Sequence, residues 1–333
     1  MLSAYFLVYH LLLLNYIYHT LEKLTRVLVS TITYQRPKGL TRLLQALQQQ
    51  QAESWLHVEI LVVDNDGTGE NPKVVAALTP GAKINMHLVE AREKGIVPAR
   101  NKAVEYFLQS DFQALVFIDD DEWPGQPSWL QTLVNTQQQT QADVVTSVLH
   151  VLAENPQDKW IEKVPGFGTH NQTKVAPIDR FYTANVLIMR QVLEVVRPAF
   201  DMRFAFTGSS DLHFSIKCRN AGFKAVVTPF APVQENYPAT RTNLRWFFLR
   251  GYRSGEGATR ATIYEGSFPK AYLMCLVMFG FRLGRGLLRG LVGVITWQKA
   301  HIALSFLQVG SALGTLGGFF GISYQEYKTI HGS

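Results

Sequence analysis

Apolar runs of strand length recur along the first half of the chain, at Val27 to Ile32, Val58 to Val63, Met86 to Val89, Leu115 to Ile118 and Val144 to Leu149. Helix-length segments separate them. Runs without polar alternation belong to strands buried on both faces, and strands that alternate with helices pair mostly in parallel. The chain is therefore expected to form an α/β domain with a mostly parallel central sheet flanked by helices. Ligands of such sheets bind beyond the carboxyl ends of the strands, so the residues that follow each run are the ones to inspect.

At 333 residues the chain is long enough for about two units with real cores. Charged residues make up 17% of it, against roughly 25% in ordinary soluble domains, which excludes a disordered tail protein. Only Cys218 and Cys275 occur, without metal-ligand spacing, so neither a disulfide framework nor a structural zinc site is expected. The net charge of +6 is unevenly placed. Between Arg241 and Ala300 there are ten Lys or Arg against Glu256 and Glu265, a balance of +8, and the rest of the chain stands at −2. This basic stretch is interleaved with Trp246, Phe247, Phe248 and long apolar runs. That pattern points to an anionic lipid surface or a phosphate-bearing partner, and away from nucleic acid.

The remaining organisation is as follows. Residues 1–21 are apolar but carry no signal-peptide features, so residues 1–24 read as an N-terminal helix or anchor: interfacial, inserted, or buried against the main domain. Residues 150–240 are less periodic, with a strand expected at Phe181 to Met189 and a helix from about Ser209 to Asn220 that Gly222 stops. After Pro269, Ala271 to Phe281 is an apolar run too short to span a bilayer. Arg282, Arg285 and Arg289 follow at spacings that share a helical face, and residues 300–325 hold no Asp, Glu, Lys or Arg. Gly310, Gly314, Gly317 and Gly321 in that stretch have the small-residue spacing that lets helices pack closely. A span, a re-entrant hairpin, interfacial helices and a buried helical hairpin are all compatible with it.

Five segments carry candidate chemistry. In Val116-Phe-Ile-Asp119-Asp120-Asp121-Glu122, carboxylates leave a buried strand and repel one another unless a cation is near. Asp119 and Asp121 point the same way if the chain stays extended, which suits a hard divalent ion completed by phosphate oxygens. An ordinary acidic turn is the alternative. In Ile60-Leu-Val-Val-Asp64-Asn65-Asp66-Gly67, a carboxylate at a strand end would accept hydrogen bonds from a ribose or base, or would simply make an Asx turn. Gly95, Pro98 and Arg100 open a helix whose N-terminus favours anions. Asp211 follows Gly208 at the head of the 209–220 helix, where capping competes with catalysis. Arg241, Arg245, Arg250 and Arg253 put cations about one helical turn apart beside Trp246.

Taken in this order, these segments resemble the inverting family 2 glycosyltransferases of the GT-A fold, of the bacterial surface-polysaccharide type, over about residues 26 to 255. The resemblance implies a Rossmann-like domain whose residues 25–149 bind a nucleotide-diphosphate sugar and whose residues 150–260 bind the acceptor and carry the base. Residues 261–333 would form membrane-associated helices. Thr33, Tyr34, Arg36, Asp64 and Asp66 would hold the nucleoside, and Gly95, Arg100 and Asn101 would face the nucleotide. Asp119 and Asp121 would be the Asp-x-Asp pair that binds diphosphate through Mg2+ or Mn2+. Asp211 would be the general base, and Arg245 with Trp246 would lie near acceptor and diphosphate. The implied enzyme works at the cytoplasmic face of the membrane on a lipid-linked or other saccharide acceptor.

Two positions depart from the family pattern. Ser210 stands where a Glu usually precedes the base, and Thr242 where processive members have Gln, which favours transfer of a single sugar. A nucleotidyltransferase would want a Gly-rich, Lys-bearing loop near the N-terminus, and Ser30-Thr-Ile-Thr-Tyr-Gln-Arg-Pro-Lys-Gly39 is not one. A non-catalytic membrane scaffold that kept the fold would have no need of the acidic triplet or of Asp211.

Overall fold

A computed structural model describes residues 24–165, 172–267 and 269–322. The expectation for residues 1–21, and the last three residues of the uncharged 300–325 stretch, lie outside the described residues. Nine strands form one sheet: β1 (Arg26–Thr33), β2 (His57–Asp64), β3 (Asn85–Glu90), β4 (Ala114–Phe117), β5 (Glu122–Pro124), β6 (Val144–Ala153), β7 (Ala176–Ile178), β8 (Val186–Met189) and β9 (Ala225–Tyr237). Their order is β3-β2-β1-β4-β8-β6-β9-β5, with β7 added on β9. β1 to β4 are mutually parallel, as are β6 and β9, while β8 runs antiparallel between β4 and β6. Because β6 straddles residue 150 and pairs with both β8 and β9, one sheet is continuous through both expected halves.

The helices are α1 (Pro37–Gln48), α2 (Glu70–Leu78), α3 (Ile96–Leu108), α4 (Trp129–Thr140), α5 (Arg190–Val195), α6 (Ser210–Asn220), α7 (Leu244–Glu265), α8 (Lys270–Thr296) and α9 (Lys299–Phe319). Both faces of the sheet are covered. Leu28, Leu61, Leu115 and Phe117 pack on one side with Phe107 of α3 and Phe214 of α6. Val27, Val29, Ile60 and Val116 pack on the other with Leu40, Leu43 and Leu44 of α1 and Trp129 and Leu133 of α4. Burial on both faces is why these strands read as continuous apolar runs.

Two expectations change, and one run proves longer. The strand at Phe181 to Met189 shortens to Val186–Met189, because Asn185 sits in the left-handed region at φ +52 and interrupts the extended backbone. β9, where no strand was expected, pairs with β6 on both sides of an irregularity that passes from Thr228 to Val233, and Pro229 and Pro232 lie in that irregularity. Proline cannot donate to a ladder, so its presence masked the strand. Finally, the run from Ala271 to Phe281, too short to span by itself, is part of a longer element. It continues as a 27-residue helix through all three arginines.

Candidate active site

The carboxyl ends of β1, β2 and β4 meet at one edge of the sheet, with Thr33 beside Asp64 and Ser30 beside Phe117 in the pairing. Beyond β4 the backbone turns at once: the Glu122 amide donates to the Asp119 carbonyl at 3.1 Å. The acidic segment is therefore a turn, the alternative weighed beside an extended backbone. The turn separates the carboxylates. Asp120 is buried, while Asp119 and Asp121 stay partly accessible.

Cations from distant parts of the chain close around this turn. Arg36, at the head of α1, donates one nitrogen to Asp120 at 2.9 Å and to Asp121 at 2.8 Å. Arg42, one and a half turns further on, donates to the Asp121 carbonyl at 2.9 Å and lies over the Trp123 ring. A Cβ on Gly39 would stand 2.6 Å from the Asp120 carbonyl oxygen, so only glycine lets α1 come this close. Arg241 bridges Glu235 at 2.6 Å and Asp121 at 3.6 Å. Arg100 of α3 is buried, 3.9 Å from Asp119, and donates to the Ser210 hydroxyl at 3.3 Å.

Charge crowding governs the titration of this cluster. Burial pushes the Asp120 carboxyl up to about 7, against the pull of Arg36. Burial likewise raises Glu235 to about 8, with Asp121 adding repulsion. Glu122, opposite Glu235 in the β5–β9 pair, is driven well above the ordinary carboxylate range by burial and by Asp119. Asp119 is raised by burial, and the charges of Asp121 and Asp211 push it further, with Arg100 opposing. Asp119 thus feels the charges of both the turn, at Asp121, and the helix α6, at Asp211.

The β2 end is built as a turn and a brace. Asp64 accepts from the Asp66 amide at 3.1 Å and from Asn71 at 2.8 Å, the Asx geometry anticipated for it. Thr68 donates to Asp66. Asn65 ties this end to the start of α3: its amide nitrogen donates to the carbonyls of Ala91 and Glu93, and its oxygen accepts from the Gly95 amide. Gly95 has φ +122, a backbone that side chains with a Cβ rarely adopt. Lys94 donates to the carbonyls of Asn65 and Asp66 and lies 5.5 Å above the ring of the exposed Tyr34.

Helix α6 begins after Gly208 (φ +76) and Ser209 (φ +66). Asp211 lies in its first turn and accepts from the Leu212 amide at 2.7 Å. The N-cap itself is Ser209. α7 presses on this loop: a Cβ on Gly257 would meet the Ser209 hydroxyl at 2.0 Å, and Arg260 donates to Thr207 and to the Arg203 carbonyl. Buried His213 of α6 contacts Glu265 of α7 at 2.7 Å and stacks on Phe204.

Three residues sit otherwise than the resemblance implies. Arg36 faces the acidic turn. Asn101 uses both ends of its amide on the Phe200 backbone, at 2.8 and 3.1 Å, and so braces the segment before α6. Arg245 is exposed on the first turn of α7, whereas Arg241, just outside that helix, reaches the turn after β4. Trp246 packs edge-on against Tyr237 and Phe247, with Arg250 over its ring. Glu235 and Arg42 escaped the sequence reading because their roles come from contacts 114 and 79 residues away in the chain, to Asp121, which leave no local pattern. A separate concavity of about 280 Å3 at the amino ends of β6 and β9, lined by Pro177, Asp179 and Arg219, is remote from these groups.

Among the described residues, no three His, Cys, Asp or Glu side chains form a ready-made metal cluster. The donor set at the turn is nevertheless of the right kind for a hard divalent ion. It has two partly accessible carboxylates, Asp119 and Asp121, beside buried ones.

Comparison with known proteins agrees with this layout. The family model described as glycosyl transferase family 2 matches residues 29–197. The chain is 26% identical over 228 residues to the succinoglycan biosynthesis protein ExoM of Rhizobium meliloti (strain 1021), covering 68% of this chain and 72% of that one. Among solved structures it is similar to the mannosyltransferase PcManGT from Pyrobaculum calidifontis in complex with GDP-Man and Mn2+, with a TM-score of 0.54 and 17% identity over 92% of this chain and 77% of that one. It is also similar to TarS 1-349 of S. aureus in complex with UDP, with a TM-score of 0.51 and 13% identity over 89% and 92% of the two chains. These structures share the GT-A fold. The matched stretch contains the strand ends of β1, β2 and β4 and the acidic turn, and the chain belongs to glycosyl transferase family 2.

Proposed function

We propose that this glycosyltransferase moves one sugar from a nucleotide-diphosphate sugar, with inversion at the anomeric carbon, to a saccharide acceptor carried on a lipid at the cytoplasmic face of the membrane, in cell-surface polysaccharide synthesis. The observation that carries the reading is Arg100. Its guanidinium stands 3.9 Å from Asp119 and donates to Ser210, the residue before Asp211, which supports a reading in which the two carboxylates serve one reaction. The relative named in succinoglycan biosynthesis supports the polysaccharide class, and the basic C-terminal region supports an anionic, membrane-bound acceptor.

In this reading residues 25–149 hold the donor. Tyr34 offers an exposed ring for the base, Thr33, Asp64 and Asp66 line the nucleoside side, and Gly95 and Arg100 approach the phosphates. Asp119 and Asp121 would hold Mg2+ or Mn2+, which when bound supplies positive charge to the departing diphosphate. Arg36 and Arg241 already stand at Asp121. They shift toward the diphosphate as its charge develops and stabilise it electrostatically. Residues 150–260 present the acceptor. Asp211 takes the proton of the attacking hydroxyl as the new bond to the anomeric carbon forms and the bond from that carbon to the diphosphate oxygen breaks. Ser210, in place of a carboxylate, leaves Arg100 free of a stronger partner at that position, so the guanidinium remains available to phosphate.

The test is a panel of nucleotide sugars screened with the purified protein for thermal stabilisation and for hydrolysis with Mg2+, Mn2+ or EDTA. One donor should stabilise the protein and be hydrolysed only with a divalent ion. Undiminished activity in EDTA would remove the metal from the scheme, and no response to any donor would remove the transfer reading.

A further inference from the structure

α9 is uncharged after Lys299 and long enough to cross a bilayer, and so is α8. The tertiary structure makes crossing untenable for both. α9 is joined along its length to α7. Ideal Cβ atoms on Gly310 and Gly314 would lie 2.2 and 1.9 Å from the carbonyl oxygens of Phe248 and Tyr252, and those on Gly251 and Gly255 would lie 2.0 Å from the carbonyls of Leu307 and Ser311. The near end of α9 is buried with Val151, Ile161, Tyr237 and Phe247 of the sheet domain. α7 carries Arg245, Arg250, Arg253, Glu256, Arg260 and Glu265. A helix so charged does not enter hydrocarbon, and a helix paired with it backbone to backbone stays at its level.

α8 returns along α9 after a two-residue connection, Trp297 and Gln298, with Gly286, Gly290 and Gly293 against Val309, Ser305 and Ile302. Its charges are sorted by face. Arg282 donates to Thr315 at 2.8 Å and Arg289 contacts His301 at 3.2 Å, so both point toward α9. The opposite face is an exposed apolar stripe of helical periodicity through Leu273, Val277, Phe281, Leu288, Leu291 and Ile295. Arg285 lies at its margin and Lys270 at its start. At the far end Trp297 is 91% exposed. Such a stripe flanked by cations and ended by an exposed Trp is the composition of a helix that lies in the headgroup plane.

We propose that α8 is the membrane-docking surface of this enzyme: it lies flat on an anionic bilayer with its Leu273-to-Ile295 stripe immersed, and the α8–α9 hairpin does not cross. The proposal is independent of which sugar is transferred. In this geometry α7 stands close above the lipid surface, since the start of α8 packs on it directly at Cys275 and Thr259 and α9 lies between the two further along.

Two experiments on the full-length protein test it. In the first, Trp297→Cys and, as a catalytic-domain marker, Glu70→Cys are labelled with a membrane-impermeant maleimide in spheroplasts and in inverted membrane vesicles; the native Cys218 and Cys275 are buried. Both positions should label in the same preparation. Labelling of Trp297→Cys from the side opposite Glu70→Cys, or from neither side, would show insertion and overturn the proposal. In the second, Leu288→Glu with Leu291→Glu should lower co-sedimentation with phosphatidylglycerol-containing vesicles at least tenfold, with hydrolysis of donor in solution unchanged. Wild-type binding should also weaken in vesicles of phosphatidylcholine alone. Undiminished binding by the double variant would place the docking surface elsewhere. Two other results would identify a different occupant of the stripe and defeat the proposal. One is vesicle binding that emerges only when residues 1–21 are deleted. The other is a dimer abolished by the double variant in a protein that ignores vesicles.

Discussion

The acidic turn after β4 and the seam between α7 and α9 both bring groups closer than ordinary side chains tolerate, and they do it in opposite ways. At the turn, Asp119, Asp120, Asp121, Glu122 and Glu235 are crowded into a space where burial and mutual repulsion raise the pKa of four of them, and four arginines from three separate parts of the fold hold them there. At the seam, glycines remove the side chains and leave only backbone in contact. The first arrangement concentrates unfavourable negative charge that the arginines offset. The second stores nothing and simply fixes two helices. A site for chemistry and a site for attachment are thereby distinguished on electrostatic grounds, and substitutions in the two should separate turnover from stability.

The largest effect expected is on turnover alone. Asp211→Asn should lower sugar transfer by about 10²- to 10⁴-fold, the range for loss of a positioned general base. Donor-induced thermal stabilisation should persist, and near-normal turnover in a folded variant would assign the base elsewhere. Next, Gly255→Leu places a side chain where the Ser311 carbonyl already lies 2.0 Å from the Cβ position, and roughly 1–3 kcal/mol or more of stability should be lost. The control is Gly280→Leu on α8, where no neighbour lies within 4 Å. Its melting temperature should hold or rise slightly, since glycine is a poor helix residue. Equal melting of the two variants would break the account of the seam.

Arg36→Met tests the turn from the other side. Loss of its half-buried ion pairs should cost about 1–3 kcal/mol in EDTA, and Mn2+ should restore more stability to the variant than it adds to the wild type. No difference between the two in Mn2+ response would mean that the turn does not take a cation. The smallest effect concerns pH. Burial holds the His213 imidazole below its ordinary value of 6.5, against Glu265 and Asp201, with Lys217 adding to the lowering. The folded state then binds fewer protons than the unfolded one below pH 6.5, so stability falls on acidification through that value. His213→Phe should flatten this part of a melting-temperature profile. An unchanged slope would shift the cause to other groups.

Legibility followed the range of the interactions involved. β1 to β4 were readable because strands buried on both faces cannot carry polar residues, and the acidic residues beyond β4 were readable because carboxylates are out of place at the end of such a run. The small-residue spacing at Gly310, Gly314 and Gly317 did mark close helix packing, although Gly321 proved to be a helix terminator at φ +69 with open space around it. The partner stripe, Gly251 and Gly255 of α7, drew no notice because it is embedded in a basic helix whose charges dominate the pattern. The shared helical face of Arg282, Arg285 and Arg289 was legible too, but not that Arg282 and Arg289 turn inward to Thr315 and His301 of α9.

By itself the sequence determined the strand–helix alternation, the side of the sheet where chemistry collects, the acidic turn, the candidate base at the head of α6 and the concentration of positive charge with apolar residues near the C-terminus. All of these depend on neighbours a few residues apart, whose spacing is printed in the chain. Only the tertiary structure decided that β8 runs against its neighbours, that Arg36 and Arg241 rather than Arg245 face Asp121, that Arg100 links Asp119 to the base helix, and that an apolar hairpin is held too tightly to a charged helix to leave it. Those outcomes depend on which distant segments the closed sheet brings together, and side chains carry no mark of a partner that topology supplies.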